Sequence, residues 1–106
     1  MITMLPEVQQ DGTCRICARS GEQVLGQAQY RTEGETIYLL QVQASLPALC
    51  DGLLRAALNA AMRDGCLRAV CTQQALFALL QQEGFSVQNG QAHVMLETFF
   101  ARGCRH

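Results

Sequence analysis

The chain has 106 residues, 49% of them hydrophobic but only 6% aromatic, enough for one domain with a core of Leu, Val, Ala, Met and Cys. Charged residues make up 16% and the formal net charge is −1, so there is no electrostatic footprint for nucleic acid or an anionic membrane, and neither is expected as a partner. No stretch approaches a membrane span, and the apolar start from Met1 to Leu5 lacks a basic region and is stopped by Pro6-Glu7, so a cytoplasmic protein is expected. Without an export signal the six cysteines read as reduced thiols, with Cys50, Cys66 and Cys71 acting as small hydrophobes in apolar patterns.

In chain order, residues 1–12 form a short N-terminal segment with room for a brief strand, closed by the Asp11-Gly12 turn. Thr13 to Arg19 alternates as a strand with Cys14, Ile16 and Ala18 on one face. After Ser20-Gly21-Glu22, Gln23 to Thr32 returns as a strand weakened at Gly26, where a bulge fits. After Glu33-Gly34-Glu35, Thr36 to Gln43 has both alternating sets apolar (Ile37, Leu39 and Tyr38, Leu40, Val42), the pattern of a central strand covered on both faces. It runs into a long amphipathic helix whose apolar positions from Leu46 to Met62 recur at helical spacing, with Asp51, Arg55, Asn59 and Arg63 on the wet side. Ser45 fits the N-cap, Pro47 the first turn and Gly65 the stop. Leu67 to Thr72 then reads as a short buried strand, parallel to the central one through a right-handed crossover. Gln74 to Gln82 is a second helix closed by Gly84. Phe85 to Gln88 and Gln91 to Phe100 make a hairpin about Asn89-Gly90, and residues 101–106 a loose tail. The order is βββαβαββ, an α+β fold in which a mixed sheet has the long helix on one face and the shorter helix on the other. Ligands of such sheets bind beyond the carboxyl ends of the parallel strands.

This order resembles the GNAT superfamily of N-acetyltransferases over about Thr13 to Phe100. Ile37-x-x-Leu40-x-Val42 is similar to that family's central strand, which splays from its neighbour and pairs with the pantetheine arm of acetyl-CoA. Leu53-Leu54-x-x-Ala57-Leu58-x-x-Ala61 before Gly65 is similar to its long helix. Leu79 to Phe85 resembles the ending of the helix after the fifth strand, and Val94-Met95-Leu96-Glu97 the last strand. The resemblance implies an acetyl-CoA-dependent N-acyltransferase-like protein acting on a small amine. It places the pantetheine on the backbone of Leu40, Gln41 and Val42, and the pyrophosphate on the N–H groups of Ala48, Leu49, Cys50, Asp51 and Gly52.

The departures from the family fall on the chemistry. The glycine-rich Gln/Arg-x-x-Gly-x-Gly/Ala loop is replaced by Ser45 to Gly52, which has no basic residue, loses a donor at Pro47 and carries Asp51 where phosphates would lie. Leu80 occupies the position of the family's proton-donating Tyr, Gln73 that of an Asn, and there is no room in residues 1–12 for the two helices that wall the acceptor site. The alternative is therefore a non-catalytic descendant of the fold serving as a binding or dimerisation module. Cys71, at the carboxyl end of its strand, and Gln73 are the weak catalytic candidates; a buried structural thiol and an ordinary helix-opening residue are the blander readings. Cys14-x-x-Cys17 is poorly placed for redox or metal work in a strand, where residues three apart point to opposite faces. With Cys66, Cys71, Cys104, His93 and His106 it lacks a second zinc spacing, so no metal is assigned. A homodimer pairing its last strands would cover the apolar surface left by the missing helices.

Overall fold

The computed structural model describes residues 1–103. Strands β1 (Ile2–Val8), β2 (Cys14–Ser20), β3 (Gln23–Glu33) and β4 (Thr36–Ala44) lead into helix α1 (Pro47–Arg63). Then come β5 (Arg68–Cys71), a 3₁₀ turn (Gln74–Leu76), α2 (Phe77–Gln82), β6 (Ser86–Gln88), β7 (Gln91–Met95) and α3 (Leu96–Gly103). The seven strands form one sheet in the order β1-β2-β3-β4-β5-β7-β6. Every pair is antiparallel except β4 with β5. The mixed α+β architecture and the strand-to-helix centre are those expected, with a full first strand and a third helix added.

β1 occupies the first residues because it pairs along its whole length with β2, from Ile2↔Ser20 to Val8↔Cys14. Burial contributes only at Met4, which packs against the core, since Leu5 and Val8 are 71% and 78% exposed. At the other end, the expected strand to Phe100 stops at Met95, where the N–H of Leu96 donates to the Leu67 carbonyl (2.9 Å). Leu96, Phe99 and Phe100 lie three and four residues apart, one helical face, and their burial turns the segment into α3. Phe99 meets the ring of Phe85 edge-on at 6.1 Å. Residues 101–103, expected as loose tail, are helical; residues 104–106 lie outside the described residues. No helix among the described residues is long and apolar enough to cross a membrane.

All three helices lie on one face, which corrects the expectation of a shorter helix on the far side. Ala69, Cys71, Ala92 and Val87 point the same way as Ile37 and Leu39, and Leu76, Leu80 and Leu96 join the core on that side. Arg55 of α1 spans the layer, reaching Glu83 at the end of α2 (3.9 Å) and lying 5.2 Å over the Phe99 ring of α3. β4 is accordingly covered on one face, not both. A register shift opposite Gln29 and Tyr30 leaves Leu40 as an extra, bulged residue, so that Ile37, Leu39 and Val42 all face α1. Thr36, Tyr38, Gln41 and Gln43 face away from the helices. Of the last two strands, β7 is flanked by β5 and β6, and β6 (Ser86–Gln88) stands at the edge of the sheet.

Ser45 is not the N-cap. A second bulge sets Leu25 out of register, and the Ser45 N–H and hydroxyl both donate to its carbonyl (2.9 and 3.1 Å), which leaves Leu46 as an N-cap without a side-chain bond. Pro47 opens the helix as expected. Both glycine stops hold: Gly65 (φ +97°) and Gly84 (φ +101°) each close a Schellman turn, with Cys66 N–H on Ala61 O (2.9 Å) and Phe85 N–H on Leu80 O (2.9 Å).

Gly26 is required by close approach, not by its dihedral angles. A Cβ there would lie 2.6 Å from the Ala44 Cβ and 2.8 Å from backbone atoms of β4. Gly26→Ala is predicted to lower stability by about 1–3 kcal/mol, read as a reduced urea midpoint at unchanged slope. Gly52→Ala is the control: its Cβ meets only the flexible end of Met4 at 3.1 Å, and the better helix residue offsets that contact, so its midpoint stays at or above that of the parent.

Candidate functional site

The parallel ladder between β4 and β5 is short. It runs through Thr36↔Arg68, Ile37↔Ala69 and Tyr38↔Val70 and stops, while β4 continues to Ala44. Beyond Tyr38 the edge of β4 facing β5 has no strand partner. There Leu40, Gln41, Val42 and Gln43 form one wall of a cavity of about 350 Å³, with Gln73, Ala75 and Leu76 opposite. The three residues expected on β4 and Gln73 thus come together, although they are some thirty positions apart in the sequence. An unpaired strand edge in a gap suits an extended ligand with amides of its own, which adds as a further strand.

β4 leads directly into the N-terminus of α1. Pro47 has no N–H and the N–H of Leu49 turns to the Leu46 carbonyl (3.0 Å), so Ala48, which is exposed, carries the leading donor. Leu49 and Cys50 are half-buried, and Gly52 packs under β1 against Met4. Asp51 does not stand alone, because its carboxylate accepts from Arg55 Nε at 3.2 and 3.3 Å. The helix end is therefore a weak anion site with one clear donor and no free basic group in its first turn.

Cys71 is 1% exposed, accepts the Gln73 N–H at its Sγ (3.4 Å) and donates to the Gln73 carbonyl (3.9 Å). Burial pushes its thiol pKa up, the opposite of what a nucleophile needs; it holds the turn that opens the second helix. The Gln73 side chain is exposed at the cavity. Cys14 and Cys17 point to opposite faces of β2, as strand geometry requires, and His93 is exposed on the helix-free side. Among the described residues no group of three or more His, Cys, Asp or Glu is placed to hold a metal ion. Two of the weighed zinc ligands, Cys104 and His106, lie outside the described residues.

A cluster that periodicity did not reveal lies beside α1. Glu83, at the end of α2, lies beside the Asp51 carboxylate with its Oε1 buried and without a hydrogen-bond partner; the interaction with Asp51 and burial push its pKa up to about 7 against the pull of Arg55. The same interaction and Arg55 hold Asp51 below the usual carboxylate range. The Asp51–Arg55 spacing of four was visible in the sequence; the arrival of Glu83 depends on the packing of α2.

No protein-family model and no curated protein matches the sequence. Solved structures do match. A protein assigned to the GNAT acetyltransferases from Desulfovibrio desulfuricans superposes with a TM-score of 0.75 over 91% of this chain and 99% of its own, at 12% identity. The chain has the GNAT fold. A GNAT family acetyltransferase from Elizabethkingia anophelis with acetyl-CoA bound gives 0.71 over 89% of this chain and 97% of its own, at 11% identity. PaiA N-acetyltransferase from Thermoplasma acidophilum in complex with coenzyme A gives 0.63 over 77% and 58%, at 13%. Superpositions of this quality at such low identity establish the fold alone and leave function to the site.

Because Glu83 binds its proton more tightly in the folded protein than at its ordinary 4.5, stability falls as pH rises from about 4.5 to about 7. Glu83→Gln keeps a donor for Asp51 without that ionisation. Its urea midpoint, relative to the parent, is predicted to rise between pH 5 and pH 7 and then level off; a difference independent of pH contradicts the raised Glu83 pKa.

Proposed function

We propose that this GNAT-fold chain binds an acyl-coenzyme A, acetyl-CoA first, between β4 and β5 and transfers the acyl group slowly to a small amine. The observation that carries this reading is the end of the parallel ladder at Tyr38 and Val70, next to the Leu40 bulge, which leaves an unpaired strand edge leading to a helix N-terminus. Leu40, Gln41 and Val42 would align the amides of the pantetheine arm, and the Ala48 N–H with the α1 dipole would meet the diphosphate. A β4 backbone N–H aimed at the thioester oxygen would draw the developing charge as the amine nitrogen bonds to the acyl carbon and the C–S bond breaks.

Among the described residues, those lining the gap include no carboxylate, imidazole or hydroxyl. Leu80, in the position of the family's Tyr, is fully buried in the core. Protons therefore pass between amine, water and leaving thiolate without a side-chain relay, which forgoes roughly 10²–10⁴ in rate. The same lining favours a second reading, a non-catalytic binding module that holds the thioester without turning it over.

Titration calorimetry of the reduced protein with acetyl-CoA and with free coenzyme A, paired with a thiol-release assay over small amines, separates these readings. We expect one-to-one binding at about micromolar Kd, near −8 kcal/mol, with slow amine-dependent thiol release. Binding without release selects the module, and no heat at millimolar ligand removes the coenzyme reading.

A further inference from the structure

The sheet face turned away from the helices carries a charge pattern unlike the rest of the chain. By strand register Arg15, Arg19, Arg31 and Arg68 point from it, half of the eight basic residues, against two of the nine acids, Glu7 and Glu33. The other acids lie in turns and on the helices. Internal pairing does not exhaust these arginines. Glu7 is shared at 3.7 Å by Arg15 and 4.0 Å by Arg19, and the Arg15 Nε is buried with no acceptor. Arg31 is engaged by Glu33 (2.6 Å) and lies over the Tyr38 ring (4.1 Å). On β1 to β3, Leu5 opposite Cys17 and Val24 opposite Arg19 add exposed apolar area to the same patch.

We propose that this open face, centred on Leu5, Arg15, Arg19 and Val24, docks an acidic segment of a polypeptide partner. Its carboxylates would pair with Arg15 and Arg19, and its apolar side chains would cover Leu5 and Val24. Charge complementarity selects this occupant. A second copy placed face to face would bring this face's excess of positive charge, four arginines against two glutamates, against itself. A nucleic acid meets a chain of net charge −1 whose face offers one aromatic ring, Tyr38, already covered by Arg31. The surface is independent of whether the β4–β5 gap holds coenzyme A.

The test titrates the isotopically labelled full chain with a blocked peptide of Glu and Leu, a matched peptide of Lys and Leu, and oligouridylate, followed by amide shifts. The Glu–Leu peptide is expected to shift β1 to β3 amides with a salt-sensitive affinity that the Arg15→Glu, Arg19→Glu double variant weakens about tenfold or more. Arg63→Glu, the same charge change at the exposed end of α1, leaves it unaltered. If the double variant loses its dispersed spectrum, the glutamine pair replaces it. Absence of shifts, shifts confined to the helices, equal binding of the Lys–Leu peptide, or tighter binding of oligouridylate would each overturn the proposal.

Discussion

The constraint on which the structure depends is the extra residue at Leu40. One bulge in β4 lets Ile37, Leu39 and Val42 all face α1, although a regular strand would send Val42 to the opposite side. The same irregularity falls where β5 ends its pairing, so β4 leaves the parallel ladder with its backbone unpartnered and its core contacts intact. The gap is thus a product of the packing that stabilises the sheet. Its position at the carboxyl ends of two parallel strands, with a helix N-terminus at its far side, is where α/β geometry concentrates ligand sites.

A second consequence follows from layering all three helices on one face. The helix side holds the continuous core from Ile16 to Phe99, and the other side remains a two-dimensional array of arginines, glutamines and scattered apolar groups. The glutamines there bond to one another, Gln27 to Gln41 at 3.4 Å and Gln41 to Gln43 at 3.2 Å. Such a row keeps the sheet wettable without fixing a charge near the gap. Charge is instead unevenly divided, with four of the eight basic residues but two of the nine acids on the open face, so the two sides present different surfaces to partners.

Elements whose burial is periodic were legible in the sequence: β2 to β5, α1 with its Gly65 stop, and the turn at Asn89-Gly90 all fall within a residue or two of expectation. β1 was only half legible because its ladder to β2, more than burial, holds it, and pairing leaves no periodic trace in an exposed strand. α3 was misread because Val94, Met95 and Leu96 continue the strand pattern up to the residue where the helical trio Leu96, Phe99 and Phe100 takes over. In the candidate site, Leu40 to Val42 and Gln73 were singled out through the resemblance to the family, the first on the central strand and the second at the start of the helix after the fifth strand. Which groups stand free at the α1 terminus was not legible, since it depends on Ser45 being spent on Leu25, Gly52 on Met4, and Asp51 on Arg55 and Glu83. Apart from the Asp51–Arg55 pair, those contacts join segments far apart in the chain.

The central claim is that the unpaired edge of β4 receives a ligand as though it were a strand. Hydrogen exchange of individual backbone amides, with and without saturating coenzyme A, tests it most directly. The account predicts protection gained at Leu40 to Gln43 and at Ala48, with little change at β1, β2 and the far end of β4. Protection gained elsewhere while Leu40 to Gln43 exchange unaltered would contradict it, and would leave the parting of β4 from β5 as a feature of the fold alone.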